Sequence, residues 1–379
     1  MSGHVAEILQ AFDPELPLPK AKTLPAEWYF DREIASLERT SVFRHTWQAV
    51  GPLDFVRNPG TFLTADVASE PVLVTRDEQG ILRSFANVCR HRAARVMNEA
   101  HGCANKLRCR YHGWTYDLAG RLRGTPEFDG VENFPKQGNG LPQFSVATWG
   151  PIVFVHQSAN PPALESCLAP MPEMAAARGI EKMKFAARRE YELNCNWKVF
   201  VDNYLDGGYH VNTVHPGLAG VLDYSQYRTE VFAETSVQLS PMRAPDPEKE
   251  NTSAGNVRTG DMAHYWWIYP NLMVNIYDGV MDTNLVLPVT PDRCRVIFDF
   301  YFADADDPSR KQFIDESIEV SHQIQLEDVG ICEEVQQGLH SHTYDTGRFS
   351  VRREAGGYHF HQLLARKLCS FHRACAGNG

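Results

Sequence analysis

The sequence predicts an α+β protein of two domains. Short strands broken by Gly, Pro, Asn and Asp fill residues 46–155, and strands mix with helices from residue 191 onward. Two groups of Cys, His and carboxylate residues lie far apart in the chain, one in each region. With 379 residues, 43% of them hydrophobic, the chain is long enough for two domains with cores of their own. The expected division is 1–45 for an N-terminal helical segment packing on the larger domain, 46–155 for the β module and 156–379 for the larger domain.

The elements follow in order. Residues 27–50 have helical spacing up to about Phe43. The β module reads as strands at 61–63, 72–75, 82–87, 115–117 and 148–155. Segment 156–190 is Pro- and Ala-rich and then charged, a junction with a small helix. Beyond Tyr191, strands at 231–239, 264–269, 272–277, 285–290 and 294–302 alternate with helices at about 195–210 and about 308–339. The polar stretch 243–261 reads as a mobile loop or lid.

Several classes are excluded early. No run of 18 apolar residues exists, so no helical membrane span is expected. Met1 to Asp13 lacks a basic stretch followed by an apolar one and is too short and acidic for a transit peptide, so a cytoplasmic protein is expected. Nine cysteines, odd in number and irregular in spacing, point to reduced thiols, some of them metal ligands. The net charge is −10, yet Arg76 to Arg123 holds ten basic and four acidic residues. That basic stretch lacks the interleaved aromatics of a nucleic-acid surface; docking of an acidic electron carrier suits it better.

Within the β module stand Cys89-Arg90-His91 and, 17 residues later, Cys109-Arg110-Tyr111-His112. Two such pairs on two loops suit two thiolates on one iron and two imidazoles on the other iron of a 2Fe-2S cluster. A tetrahedral zinc site would use the same four atoms, but zinc fingers usually pair Cys with Cys and His with His. The other cysteines read as ordinary thiols.

The second group begins with His210 and His215, five residues apart and so about 140° apart on an ideal helix. Gly207, Gly208 and Pro216 suggest a broken helix that would let both imidazoles point inward. By spacing alone such histidines are more often core or surface residues than ligands. A carboxylate on the amphipathic helical stretch 325–336, Glu327 or Asp328, would complete a two-His, one-carboxylate triad for non-haem Fe(II).

The segments CRHRAARV and CRYHGWTYDLAGRL resemble the cluster-binding part of the Rieske non-haem iron oxygenase α subunits, and the stretches around His210 and Asp328 resemble that family's iron motifs. The resemblance covers nearly the whole chain. It implies a Rieske β-sandwich joined to a catalytic domain with a large antiparallel sheet covered by helices, of the helix-grip type. It also implies a 2Fe-2S cluster on Cys89, His91, Cys109 and His112, and mononuclear Fe(II) on His210, His215 and Asp328. The implied partners are O2 and a ferredoxin or a flavin/iron-sulfur reductase. The implied assembly is a homotrimer, or two stacked trimers, in which the cluster of one subunit serves the iron of its neighbour. An acidic residue bridges the two centres in that family, usually three positions before the first iron His. Here residue 207 is Gly and the acid is Asp206, one place earlier, with Asp202 as the alternative.

DNYLDGGYH, QLEDVGICEEVQQGL and GGYHFHQLL resemble the choline monooxygenase-like subgroup. That implies hydroxylation of a small quaternary ammonium compound, choline to betaine aldehyde hydrate first, with carnitine or glycine betaine oxidation or N-demethylation as alternatives. Aromatic-ring dihydroxylation is the other enzyme reading, and a plain electron carrier would need only the β module. A quaternary ammonium is drawn to aromatic faces. Tyr265, Trp267 and Tyr269 share one face of a strand and, with Tyr277, are cage candidates, although such residues more often simply pack a core. His340, His342, His359 and His361 read as hydrogen-bonded core or surface residues.

Overall fold

The computed structural model describes residues 3–243 and 253–376. They form two compact units, Phe43–Leu164 and Met1–Val42 together with Glu165–Gly379. Of the stretch 243–261 read as a loop or lid, residues 244–252 lie outside the described residues; Ser253–Val257 within it is a helical turn. Among the described residues, no helix is long and apolar enough to cross a membrane.

In the first unit seven antiparallel strands run in the order Gln48–Pro52, Ile152–His156, Gln143–Trp149, Leu82–Ala86, Glu70–Arg76, Thr61–Val67 and His101–Cys103. A small sheet of Leu107–Arg108, Thr115–Tyr116 and Leu122–Gly124 stands beside it. Val56, Leu63, Val72, Val74 and Val153 fill one core. A second, around Phe85, Trp114 and Tyr116, also contains Cys89 and Cys109. The stretch 148–155, expected as one strand, is a hairpin that turns at Gly150, φ 51°, followed by Pro151. The unit also ends at Leu164, later than residue 155. Side chains account for the extension: the Ser145 hydroxyl donates to the Ser158 carbonyl at 2.9 Å and the Trp47 indole to the Pro162 carbonyl at 2.9 Å.

The second unit is built on another antiparallel seven-stranded sheet. Its order is Lys184–Leu193, Arg293–Phe302, Val280–Thr290, Leu272–Tyr277, Met262–Ile268, Thr235–Pro241 and Arg228–Val231. Helix Trp197–Tyr204 packs on the two strands Val280–Thr290 and Arg293–Phe302, and on the long helix Lys311–Leu339. Segment 156–190 does hold small helices, Leu164–Leu168 and Met171–Ala175, but its charged end, read as part of the junction, is the strand Lys184–Leu193. Its sequence is rich in helix formers, but as an edge strand it pairs along its length with Arg293–Phe302, and Arg188 grips Asp299 through two bonds of 2.7 and 2.8 Å. The C-terminal helix Ala355–Ala376 was not read from sequence, although Tyr358, His361, Leu364, Ala365 and Leu368 recur at helical spacing and are buried. The N-terminal segment belongs to this unit. Its Trp28 indole donates to the Ile8 carbonyl, and its buried Glu38 pairs with Lys198 at 2.7 Å and accepts from the Trp197 indole at 2.9 Å.

Candidate metal centres

Two tight loops carry the first donor set. The Cys109 N–H donates to the Trp114 carbonyl and the Gly113 N–H to the Cys109 carbonyl; in the other loop the Cys89 N–H reaches the Ala94 carbonyl. The two thiols are buried, at 3% and 2% exposure, while His91 is half-buried and His112 exposed. The Nδ1 atoms of His91 and His112 converge to 3.0 Å, and the His91 ring stacks on Trp114 at 4.9 Å. The Tyr116 hydroxyl lies 3.4 Å from Cys89 Sγ, a contact that sequence reading did not find. Among the described residues, the set of three or more His, Cys, Asp or Glu donors within 4.8 Å of one another is His210, His215 and Asp328. The Cys and His pairs do not form such a set, so a single tetrahedral zinc ion does not suit them, whereas two irons bridged by sulfide do.

The second set is presented by a broken helix. Asn196 caps helix Trp197–Tyr204 by accepting from the Lys198 N–H at 3.0 Å. Gly207 and Gly208 then follow with φ of 71° and 72°. A Cβ on Gly207 would stand 2.1 Å from the Arg353 carbonyl oxygen, and one on Gly208 would stand 2.9 Å from the Tyr227 ring. The glycines are therefore structurally required, and an acid cannot occupy position 207. Asp206 does the reaching instead: its carboxylate lies 2.5 Å from His210 Nδ1 and also accepts the His210 and Tyr209 N–H groups.

Past this break His210 and His215, at the two ends of the turn Val211–Val214, turn toward one another. Their Nε2 atoms are 3.0 Å apart, and Asp328 Oδ1 on the long helix lies 3.1 Å from that of His215 and 3.7 Å from that of His210. Asn203 donates to the same Asp328 oxygen at 2.8 Å. Each imidazole is anchored from behind, His210 by Asp206 and His215 Nδ1 by Glu327 at 2.7 Å. With both Nδ1 atoms on carboxylates, both Nε2 lone pairs face inward, as metal-ligating histidines need. Burial by itself pushes the His215 pKa down, but Asp328 and Glu327 raise it above the ordinary 6.5. A metal ion bound here takes that proton's place. Two imidazoles and one carboxylate on one side, with a cavity on the other, fit the donor set of a non-haem Fe(II) centre.

Several sequence expectations are thereby adjusted. Glu327 is neither the inward carboxylate nor merely solvated; it holds His215 from the side away from the centre. Asp202 does not approach His210, because it accepts from the Tyr29 hydroxyl at 2.6 Å and pairs with His361 at 2.8 Å. His361 is thus a core histidine, and His340 pairs with Asp292. None of the nine cysteines is in a disulfide.

A cavity of about 110 Å³ borders His210, His215 and Asp328. Tyr204, Tyr227, Tyr265 and Tyr277 line it, with Asp282 and Arg258. The Tyr277 hydroxyl donates to that of Tyr265 at 3.0 Å, and Tyr204 donates to Asn275 at 2.8 Å. Of the four cage candidates Tyr265 and Tyr277 are there, and Trp267 and Tyr269 are not. Trp267, fully buried, packs on Phe360 of the C-terminal helix at 5.5 Å, and Tyr269 packs edge-on against Trp267 at 6.0 Å. The same strand face meets the cavity at Tyr265 and a helix two residues further on. Tyr204 and Tyr227 went unread; Tyr204 lies inside the DNYLDGGYH motif, while Tyr227 arrives only through the fold.

A cluster-binding β module and a two-His, one-carboxylate centre on one chain define a Rieske-type non-haem iron oxygenase. Residues 46–135 match the Rieske 2Fe-2S domain, and residues 180–370 match the ring hydroxylating alpha subunit catalytic domain. The chain is 38% identical to the chloroplastic choline monooxygenase of Arabidopsis thaliana over 97% of this chain and 87% of that one. It is 28% identical to the carnitine monooxygenase oxygenase subunit of Acinetobacter pittii, covering 90% and 92% of the two chains. A solved quaternary ammonium Rieske monooxygenase, described for carnitine oxidation by gut microbiota and inter-subunit electron transfer, superposes with a TM-score of 0.83 at 28% identity, over 94% of this chain and 96% of that one. The chain belongs to the Rieske-type ring-hydroxylating oxygenase α subunits and is a non-haem iron monooxygenase with a 2Fe-2S cluster and a mononuclear iron.

Proposed function

We propose that this enzyme hydroxylates a small quaternary ammonium compound, the class that includes both choline and carnitine. The overall change is R–H + O2 + two electrons + two protons to R–OH + H2O; with choline the product is betaine aldehyde hydrate. The observation that carries the reading is the cavity beside His210, His215 and Asp328, walled by four tyrosines. A quaternary nitrogen has no N–H to donate, so aromatic faces are what can hold it. In this reading Cys89, His91, Cys109 and His112 hold the cluster, and His210, His215 and Asp328 hold the iron. When bound, these groups supply one-electron delivery and O2 activation. The tyrosines hold the quaternary nitrogen so that the carbon to be hydroxylated, the carbinol carbon in choline, faces the triad, and Asp206 fixes the His210 ring and is the bridging acid.

The electron donor is a ferredoxin or a flavin/iron-sulfur reductase. Arg90, Arg92 and Arg110 flank the cluster ligands, are exposed and have no ion-pair partner among the described residues, which suits an acidic carrier. The working assembly is a homotrimer, alone or stacked in pairs. The test is O2 and NADH consumption by anaerobically purified, iron-loaded protein with a surrogate reductase. Choline, carnitine, glycine betaine and several aromatic acids are compared, with products identified by mass. Turnover of a quaternary amine to a hydroxylated or aldehyde product is expected. Turnover of an aromatic acid and of no quaternary amine sinks the assignment.

A further inference from the structure

The cavity holds a cation, Arg258, that forms no ion pair among the described residues. Arg258 is 4% exposed and lines the same space as the metal donors. Its Nη1 donates to Ser317 at 2.7 Å, its Nη2 donates to Ser321, and the guanidinium lies over the Tyr277 ring at 4.8 Å. Its Nε is buried with no hydrogen-bond partner, and among the described residues no carboxylate comes within ion-pair reach of it. A guanidinium has five N–H donors. The two serines use two of them, so a planar anion can still be gripped. Beside it Gln325, 1% exposed, also lines the cavity with both amide atoms unpartnered. Buried polar groups are nearly always satisfied, and a buried charge left without an anion is costly. Two such side chains facing one cavity mark the place where a ligand completes them.

The carboxylates in the cavity do not do so. Asp206 is taken up by His210, and Asp328 by Asn203 and the histidine pair. Asp282 accepts from Asn275 at 2.7 Å and Asn284 at 3.3 Å, and burial pushes its carboxyl pKa up, toward the neutral form, outweighing the attraction of Arg258. A ligand with only a positive charge would enter beside an unneutralised guanidinium. A ligand with a carboxylate as well would neutralise it and leave its ammonium for the tyrosine faces that Arg258 does not cover.

We propose that Arg258 and Gln325 form an anion-binding end of the substrate cavity, and that the substrate is a zwitterionic quaternary ammonium carboxylate whose carboxylate docks on Arg258. This rests on the quaternary ammonium reading above and narrows it, from a class that includes choline to the betaine type. Arg258 acts here as a specificity residue.

The test is equilibrium binding, without turnover. Calorimetric Kd values for glycine betaine, carnitine and choline are measured on the resting, iron-loaded protein and on Arg258→Met, Arg258→Lys and Gln325→Leu. In the parent protein at least one carboxylate-bearing compound binds at least about tenfold more tightly than choline, the worth of a hydrogen-bonded charge pair. Arg258→Met brings that ratio near unity. Arg258→Lys, which keeps the charge and loses the fork, gives an intermediate ratio. Gln325→Leu leaves the guanidinium in place and lowers the ratio less, and it serves if Arg258→Met does not fold. Choline binding more tightly than every carboxylate, or an equal loss for all three ligands in the variants, overturns the proposal and leaves the quaternary ammonium reading standing. Binding of no quaternary amine overturns both.

Discussion

His215 is gripped from both ring nitrogens, and the rear grip has a measurable consequence. Glu327 touches no other donor of the triad, so its part is to fix the ring and its tautomer. Removing such a support weakens metal affinity by about 10–100-fold. Glu327→Gln is therefore expected to lose iron to a chelator at a concentration that leaves the parent loaded, with the visible absorption of the cluster unchanged. Equal retention in the two proteins would show that Glu327 is a surface residue that happens to lie nearby. The inward donors were legible because residue type and motif carried them: C-x-H with C-x-x-H, and two histidines with an acid on a distant helix. Glu327 was not, because the choice between adjacent carboxylates depends on which side of His215 each one reaches. The misplaced acid has its explanation at the same scale. Position 207 has φ of 71° and no room for a Cβ, so the carboxylate moves back one residue and still meets His210 Nδ1 at 2.5 Å.

Elements set these residues in place, and two buried charges show how. Helix Arg32–Ser41 sends Glu38 into the core to meet Lys198 and Trp197 at the start of the helix that leads to His210. Glu38→Ala would leave an ammonium at 0% exposure and an indole N–H without their acceptor. Breaking a buried pair in this way costs about 3–5 kcal/mol. The chemical-denaturation transition of the catalytic unit should fall accordingly, and a change below about 1 kcal/mol, the worth of a surface pair, would refute the structural role. In the β module Asp77 closes a hairpin by accepting from Arg83 at 2.7 Å and from the Ile81 and Gln79 N–H groups. Burial pushes its pKa up, but these donors outweigh it and leave the pKa below 3.8. A depressed folded-state value means stabilisation present in full above the unfolded pKa and lost as pH falls through the folded one. Asp77→Asn should thus unfold earlier than the parent at neutral pH, the gap closing below about pH 4; a gap independent of pH would rule the ion pair out as its cause. Elements with helical spacing, or with strand residues bounded by turn residues, were readable. Lys184–Leu193 was not, because pairing with a neighbour over its whole length overrode a helix-forming composition.

For the whole molecule the charge distribution, the two donor sets and the proposed trimer bear on one question, which is whose cluster serves whose iron. A cluster near the surface with His112 exposed can give electrons outward, to a neighbour, as readily as it takes them from a carrier. Cys109→Ser removes a cluster ligand and leaves the iron donors intact; His215→Ala does the reverse. Each protein alone should be inactive in substrate-dependent O2 consumption. Co-expressed in equal amounts, the two assemble at random into closed rings. If electrons pass between subunits in one direction around the ring, a working site needs an iron-bearing chain beside a cluster-bearing one, and about a quarter of the parent activity returns. If they pass within a chain, every chain lacks one centre and nothing returns. Size-exclusion with light scattering fixes the trimer, and mixing the separately purified proteins without subunit exchange is the control that must stay inactive. Recovered activity together with an Asp206→Asn variant that keeps all its iron yet turns over slowly would place that acid in the route between subunits. Recovery with an unaffected Asp206→Asn would keep the trimer and remove Asp206 from the route, leaving it to hold His210 alone.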